Sequence, residues 1–205
     1  MIFSLSGLWR QLSIMAILLL FSGCAWLPTS TPPPSPLQVQ EDGTSVWQDE
    51  FAFVSPPSPW ELVQLDEDDY SLAYMKLCRG SYPCQSTLAY AEEPFGYSLD
   101  FEQRVPEFFK RFLWASRVQF AQPTLEKTTL FGQEALIANT EGIEPVKGHK
   151  VWSRIVFARR GERVVAFYYT QWRPVDADYD QADVEAFDRF VATFRTLKPS
   201  FYETL

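Results

Sequence analysis

Apolar residues recur along this chain with two periods, and the switches between them outline its elements. In SLAYMKL (71–77) they alternate, with Leu72, Tyr74 and Lys76 on one face and Ala73, Met75 and Leu77 on the other. Similar short runs, FAFV before SPPSPW, then WELV and STLAYAEE, are bounded by prolines and by acidic clusters such as LDEDDY (65–70). A period of two with breakers at both ends predicts half-buried strands of a mostly antiparallel sheet. TTLFGQEALIANTEG predicts a strand pair turning at Phe131-Gly132. The clearest hairpin is HKVWSRIVFARRGERVVAFYYTQW, with Val151–Ala158 and Arg163–Trp172 flanking RRGE.

The period lengthens twice. Phe101, Val105, Phe108, Phe109 and Phe112 form one apolar helical stripe. Pro106 is tolerated in a first turn and costly inside a helix, so the helix is placed from Pro106 to Ala115. Val184, Phe187, Phe190, Val191 and Phe194 form a second stripe. The acids of DADYDQAD stand at its start, where the helix dipole favours them, and Lys198 and Pro199 are expected to end it. Strands, helix, strands, helix is the order of an α+β domain with a mostly antiparallel sheet and helices packed on it. In RVVAFYYTQW both faces are apolar, as in a strand covered on both sides, so the expectation is an α-β-α sandwich.

The first residues follow neither pattern. Met1–Gln11 holds Arg10 and no acid, and SIMAILLLF (13–21) is greasy but shorter than the roughly 20 residues that span a bilayer. That is the layout of a secretory signal. Phe21-Ser22-Gly23-Cys24 resembles a bacterial lipobox, with Phe where Leu is usual. The resemblance implies a signal peptide over 1–23 and a Cys24 thiol that takes a diacylglyceryl group. Acyl chains on Cys24 would anchor the chain stably only if two or more are present. The proline-rich stretch that follows favours extended backbone and is read as a tether over 24–45. One domain, 46–205, remains. Ala25, where Asp would signal retention in the inner membrane, implies an outer-membrane address facing the periplasm in a cell with two membranes.

Composition narrows the partners. The chain has 205 residues, 46% of them hydrophobic, enough for one proper core. A net charge of −8 argues against nucleic acid and against a basic patch for anionic lipid headgroups.

The domain resembles the Mog/PsbP-like fold, whose members include extrinsic photosystem proteins, a nuclear Ran-binding protein and many bacterial lipoproteins of unassigned role. The resemblance rests on FAFVSPPSPW, FGQEALIANTEG, VFARRGERVVAFYY and VEAFDRFVATFRTL, and spans roughly residues 51–197. It implies a binding or assembly module rather than an enzyme, and it carries no shared catalytic motif. The CRGSYPC insertion lies outside its pattern.

The side chains offer little chemistry. Cys78 and Cys84 are expected to form a disulfide after export, closing a small loop worth about 2 kcal/mol. A redox-active pair is the alternative, but the spacing lacks the Cys-x-x-Cys form. His149 is the single histidine, and no Gly-x-Ser-x-Gly elbow accompanies it. Asp176, Asp178 and Asp180 match the opening of a calcium loop, yet its sixth position is Gln181 and its twelfth Phe187. No metal or cofactor is expected. Trp114, Trp152 and Trp172 are the candidate partner-binding aromatics. Three functions follow: a lipid-anchored, non-catalytic binding or assembly module with an envelope protein partner, an envelope hydrolase using carboxylates, or a carrier of a small apolar ligand. An exposed aromatic patch, a cleft with two carboxylates and an enclosed apolar cavity would distinguish them.

Overall fold

Twelve strands and one helix account for the described residues. The computed structural model describes residues 37–66, 71–78, 84–94, 118–146, 148–160 and 163–198. Strands β1 (Leu37–Val39), β2 (Thr44–Trp47), β3 (Phe51–Val54) and β12 (Arg195–Thr196) form a four-stranded sheet in that order. The larger, eight-stranded sheet contains β4 (Glu61–Asp66), β5 (Ser71–Leu77), β6 (Gln85–Pro94), β7 (Gln119–Phe120), β8 (Thr124–Leu130), β9 (Gln133–Glu144), β10 (His149–Arg160) and β11 (Arg163–Pro174). Its spatial order is β4-β5-β6-β11-β10-β9-β7, and β8 also pairs with β9. Every pairing is antiparallel.

The expected β10–β11 hairpin is present and longer than its apolar run, paired from His149↔Pro174 to Arg160↔Arg163. The Phe131-Gly132 turn is present too, with φ of +54° and +73° closing the Leu130↔Gln133 pair. Positive φ at both central residues is the mirror-image turn that suits strand twist. The Phe131 ring lies near Phe167 and Phe194, at 6.3 and 6.4 Å.

Helix α1 (Gln181–Thr193) lays Val184, Phe187 and Phe190 on the large sheet. The small sheet covers the same face, bringing Trp47, Phe51 and Phe53 against Leu88, Tyr90, Phe167 and Tyr169. Phe194 is the hub: its ring lies 4.4 Å from Tyr90, 5.0 Å from Phe167 and 5.3 Å from Phe53. Alternation sends Leu136, Ala138, Ile155, Phe157, Val164 and Ala166 to the opposite face, where they form a second buried cluster. Both faces of β9–β11 are thus buried, as the two-sided apolar pattern of β11 implied.

Two boundaries differ from the sequence reading. The stretch to residue 45, expected as tether, already contains β1 and the start of β2. The Asp42-Gly43 turn makes this hairpin: Gly43 has φ +82°, and Gln40 N–H donates to Thr44 O at 2.8 Å. Helix α1 stops at Thr193 rather than at Lys198. There the chain turns extended so that Arg195 and Thr196 can pair with Ala52 and Phe51. The helix expected over 106–115 lies outside the described residues.

Candidate functional site

Chemistry gathers where β5, β6 and β11 meet the start of α1. Lys76 shares the inner face of β5 with Leu72 and Tyr74, the face that carries the core. Ser86 stands on β6, and Gln171 and Arg173 on β11. Asp180 caps the helix, its side chain accepting the Ala182 N–H at 3.0 Å. Asp183 follows in the first turn and is fully buried.

The Asp183 carboxylate takes three donors: Lys76 Nζ at 2.5 Å, Ser86 Oγ at 2.5 Å and Arg173 Nη2 at 3.0 Å. Arg173 also donates to Ser86 Oγ and to the carbonyls of Gln85 and Trp172. Lys76 bridges to Asp180 at 3.1 Å. Gln171 exchanges two hydrogen bonds with the Asp180 backbone, each 2.8 Å. Burial disfavours the Lys76 ammonium, but its bonds to Asp183 and Asp180 outweigh that and raise its pKa above the usual value. Burial likewise works to raise the Asp180 pKa, and the Lys76 hydrogen bond and charge reverse it to a net lowering.

Just beyond these residues the structure joins Cys78 to Cys84 by a disulfide, with Cα atoms 5.1 Å apart and Cys78 N–H donating to Cys84 O. The bridge closes the β5–β6 end that holds Lys76 and Ser86.

The candidate aromatics do not form one patch. Val151 pairs with Trp172 and Trp152 with Gln171, so the two tryptophans project from opposite faces of the sheet. Trp152 is half-buried, edge-on to Tyr169 at 5.7 Å and near Tyr179 at 5.9 Å, with the Arg154 guanidinium 5.3 Å away. Lys150 stands over Tyr179 at 4.8 Å. Burial and the Glu141 charge push the Tyr179 hydroxyl up to about 12. Cys24 and Trp114 lie outside the described residues. His149 sits at the base of β10, its Nδ1 4.0 Å from Glu144 Oε2.

A second charged cluster lies on the same face. Tyr90 OH donates to Glu92, which also pairs with Arg160 at 2.5 Å and Arg163 at 3.3 Å. Burial, followed by the Glu92 charge, raises the Tyr90 pKa well above its usual value. A groove of about 210 Å³ opens beside α1, lined by Thr128, Leu130, Ile137, Val156 and Val191. Asp188, the carboxylate lining it, is paired with Arg154 at 2.9 Å. Among the described residues no three His, Cys, Asp or Glu side chains come together to hold a metal, and no helix is long and apolar enough to cross a membrane.

Reading the sequence for motifs did not single out Asp183, Arg173 or Glu92 as site residues: Asp183 counted only among the acids at the helix start, and Arg173 and Glu92 belong to no catalytic or metal-binding motif. Their signal is positional. Lys76, Gln171 and Arg173 occupy inward positions of apolar strands, and Asp183 adjoins the apolar stripe of its helix.

Neither a family model nor a curated protein matches the chain. Likeness appears among solved structures. The Ran-binding protein Mog1p of Saccharomyces cerevisiae aligns with a TM-score of 0.52 at 8% identity, over 72% of this chain and 90% of its own. Cyanobacterial PsbP (CyanoP) of Synechocystis gives 0.51 at 14% identity, over 73% and 88%. The fold is Mog/PsbP-like. LpqN, involved in cell envelope biogenesis of Mycobacterium tuberculosis, aligns at 0.48 with 15% identity over 71% and 82%, and at that score adds nothing to the assignment. At these identities the Mog/PsbP-like likeness is one of fold alone.

Proposed function

We propose that this protein is a lipid-anchored, non-catalytic binding or assembly module of the cell envelope, held through Cys24 and engaging an envelope protein. The observation that carries the reading is the state of the buried charges. Asp183, Lys76 and Arg173 satisfy one another, Glu92 is taken by Tyr90 and two arginines, and the carboxylate beside the groove is paired. A glycoside hydrolase that works through carboxylates needs two of them convergent and open to substrate, and this arrangement favours architecture over turnover. The lipobox-like Phe21-Ser22-Gly23-Cys24 supports the anchor, and Ala25 an outer-membrane address in a cell with two membranes. In this reading helices pack on the antiparallel sheet as an α-β-α sandwich, the arrangement that a sheet buried on both faces calls for.

The anchor is tested by Cys24→Ser in cells fed labelled palmitate. The label should vanish and the protein should leave the membrane fraction. Continued labelling, or retention on membranes without label, rejects the lipid anchor.

A further inference from the structure

The last rungs of the β5–β6 ladder carry more than strand pairing. Lys76 pairs with Ser86 and Leu77 with Gln85, and Cys78 N–H then donates to Cys84 O at 3.0 Å. The disulfide spans that final rung, its Cα atoms 5.1 Å apart. Side chains alternate along a strand, so the bridge stands on the face that Lys76 and Ser86 share. Both of those side chains end on Asp183, each at 2.5 Å. The third donor, Arg173, depends on the same stretch: its Nη1 is held by the carbonyls of Gln85 and Trp172, and Gln85 lies between Cys84 and Ser86. Lys76 also reaches Asp180, the cap of α1, at 3.1 Å. Both acids at the start of α1 are therefore tied to strand residues that stand two positions from a bridged cysteine.

We propose that the Cys78–Cys84 disulfide is a redox-sensitive lock on the docking of α1. The end of a ladder is paired on one side only and opens most readily. A covalent rung there keeps Lys76 opposite Ser86. With two thiols in its place, opening of the last rungs withdraws Lys76 and Ser86 together. A carboxylate that is 1% exposed then loses two of its three donors. The helix start loosens from the sheet, while Phe187 and Phe190 still hold the rest of α1 in the core. Closing the lock joins the two Sγ atoms; two protons and two electrons pass to a disulfide oxidant, which leaves as a dithiol. A dithiol reductant reverses the step through a mixed disulfide. Neither cysteine is fully buried, the condition under which exchange can reach it. A plain staple would differ, because it acts by constraining the unfolded chain and works equally with or without the Asp183 carboxylate. On the reading of an exported chain the lock closes after the chain leaves the reducing cytoplasm; the coupling itself depends neither on that reading nor on a partner.

The test uses the full chain in mild detergent, with Cys24→Ser so that of its three cysteines only the bridged pair remains. Amide hydrogen exchange, read by mass spectrometry, compares the oxidised protein with the protein reduced by dithiothreitol. Reduction should speed exchange in residues 182–187 by about tenfold or more, the loss of one hydrogen bond to a charged group, and leave β9 and β10 unchanged. Cys78→Ser with Cys84→Ser should give the reduced pattern without reductant. In Asp183→Ala the redox difference over 182–187 should disappear. Ser86→Ala, which removes one donor and no charge, should diminish it in a fold less burdened than that of Asp183→Ala. No change in residues 182–187 on reduction, a rise of equal size across all strands, or an undiminished redox difference in Asp183→Ala or Ser86→Ala would each overturn the proposal.

Discussion

Asp183→Ala is the substitution whose cost the structure sets most sharply. The change deletes an acceptor that is 1% exposed and receives Lys76, Ser86 and Arg173. Arg173 keeps its bonds to the Gln85 and Trp172 carbonyls, but its side chain is 5% exposed and has lost its counter-charge. Removing one partner of a buried ion pair costs about 3–5 kcal/mol. A domain's whole stability is about 5–15 kcal/mol, so this is a large part of it. With a urea slope near 2 kcal/mol/M, the midpoint should fall by about 1.5–2.5 M at unchanged slope. Intrinsic tryptophan fluorescence reports it. Coupling adds a stricter requirement: Asp183→Leu combined with Arg173→Met should recover much of the loss, because an apolar replacement of a buried pair is often neutral. A fall below about 1 kcal/mol, or simple additivity in the double variant, would refute the view that Asp183 is held by mutual charge satisfaction.

Two further outcomes follow from the same geometry. Asp180 has a folded pKa below its usual 3.8, so its contribution is complete above that value and is lost as pH falls through the depressed one. Asp180→Asn should therefore flatten the loss of stability on acidification below about pH 4, and an unchanged acid limb in urea titrations would count against the Lys76 pairing. Gly142→Ala should lower stability by about 1–3 kcal/mol through overpacking. A Cβ there would lie 2.6 Å from Val118 Cγ1, 2.7 Å from Gln119 O and 3.0 Å from the Phe120 Cα, two of them backbone atoms that cannot rotate away. An unaltered urea midpoint would show that β7 shifts freely.

How far the sequence could be read depended on whether the cause was local. The burial of β11 on both faces was legible because an unbroken apolar run is a local pattern, and Val165, Phe167 and Tyr169 face the core shared with α1 while Val164 and Ala166 join the other cluster. The Phe131-Gly132 turn was legible from its chemistry. The β1–β2 hairpin was not, since its Asp-Gly turn follows a proline-rich run that masks so short a strand pair. The end of α1 was misplaced because the β12–β3 pairing, a tertiary contact, stops the helix before Lys198 does. The Lys76–Asp183 bond joins residues 107 apart in the chain, beyond the reach of any spacing rule. The separation of Trp152 from Trp172 was readable in principle: an even spacing puts two residues of one strand on one face, but these belong to different strands, and only the β10–β11 register reveals that they oppose.

The central claim, a non-catalytic module that engages an envelope protein, meets its most direct test in living cells. Crosslinking the native chain and identifying its partners by mass spectrometry should recover one envelope protein reproducibly, with the crosslink lost in Cys24→Ser. Recovery of no envelope protein, or turnover of a hydrolase substrate by the purified chain that disappears when one of its carboxylates is replaced, would contradict the account.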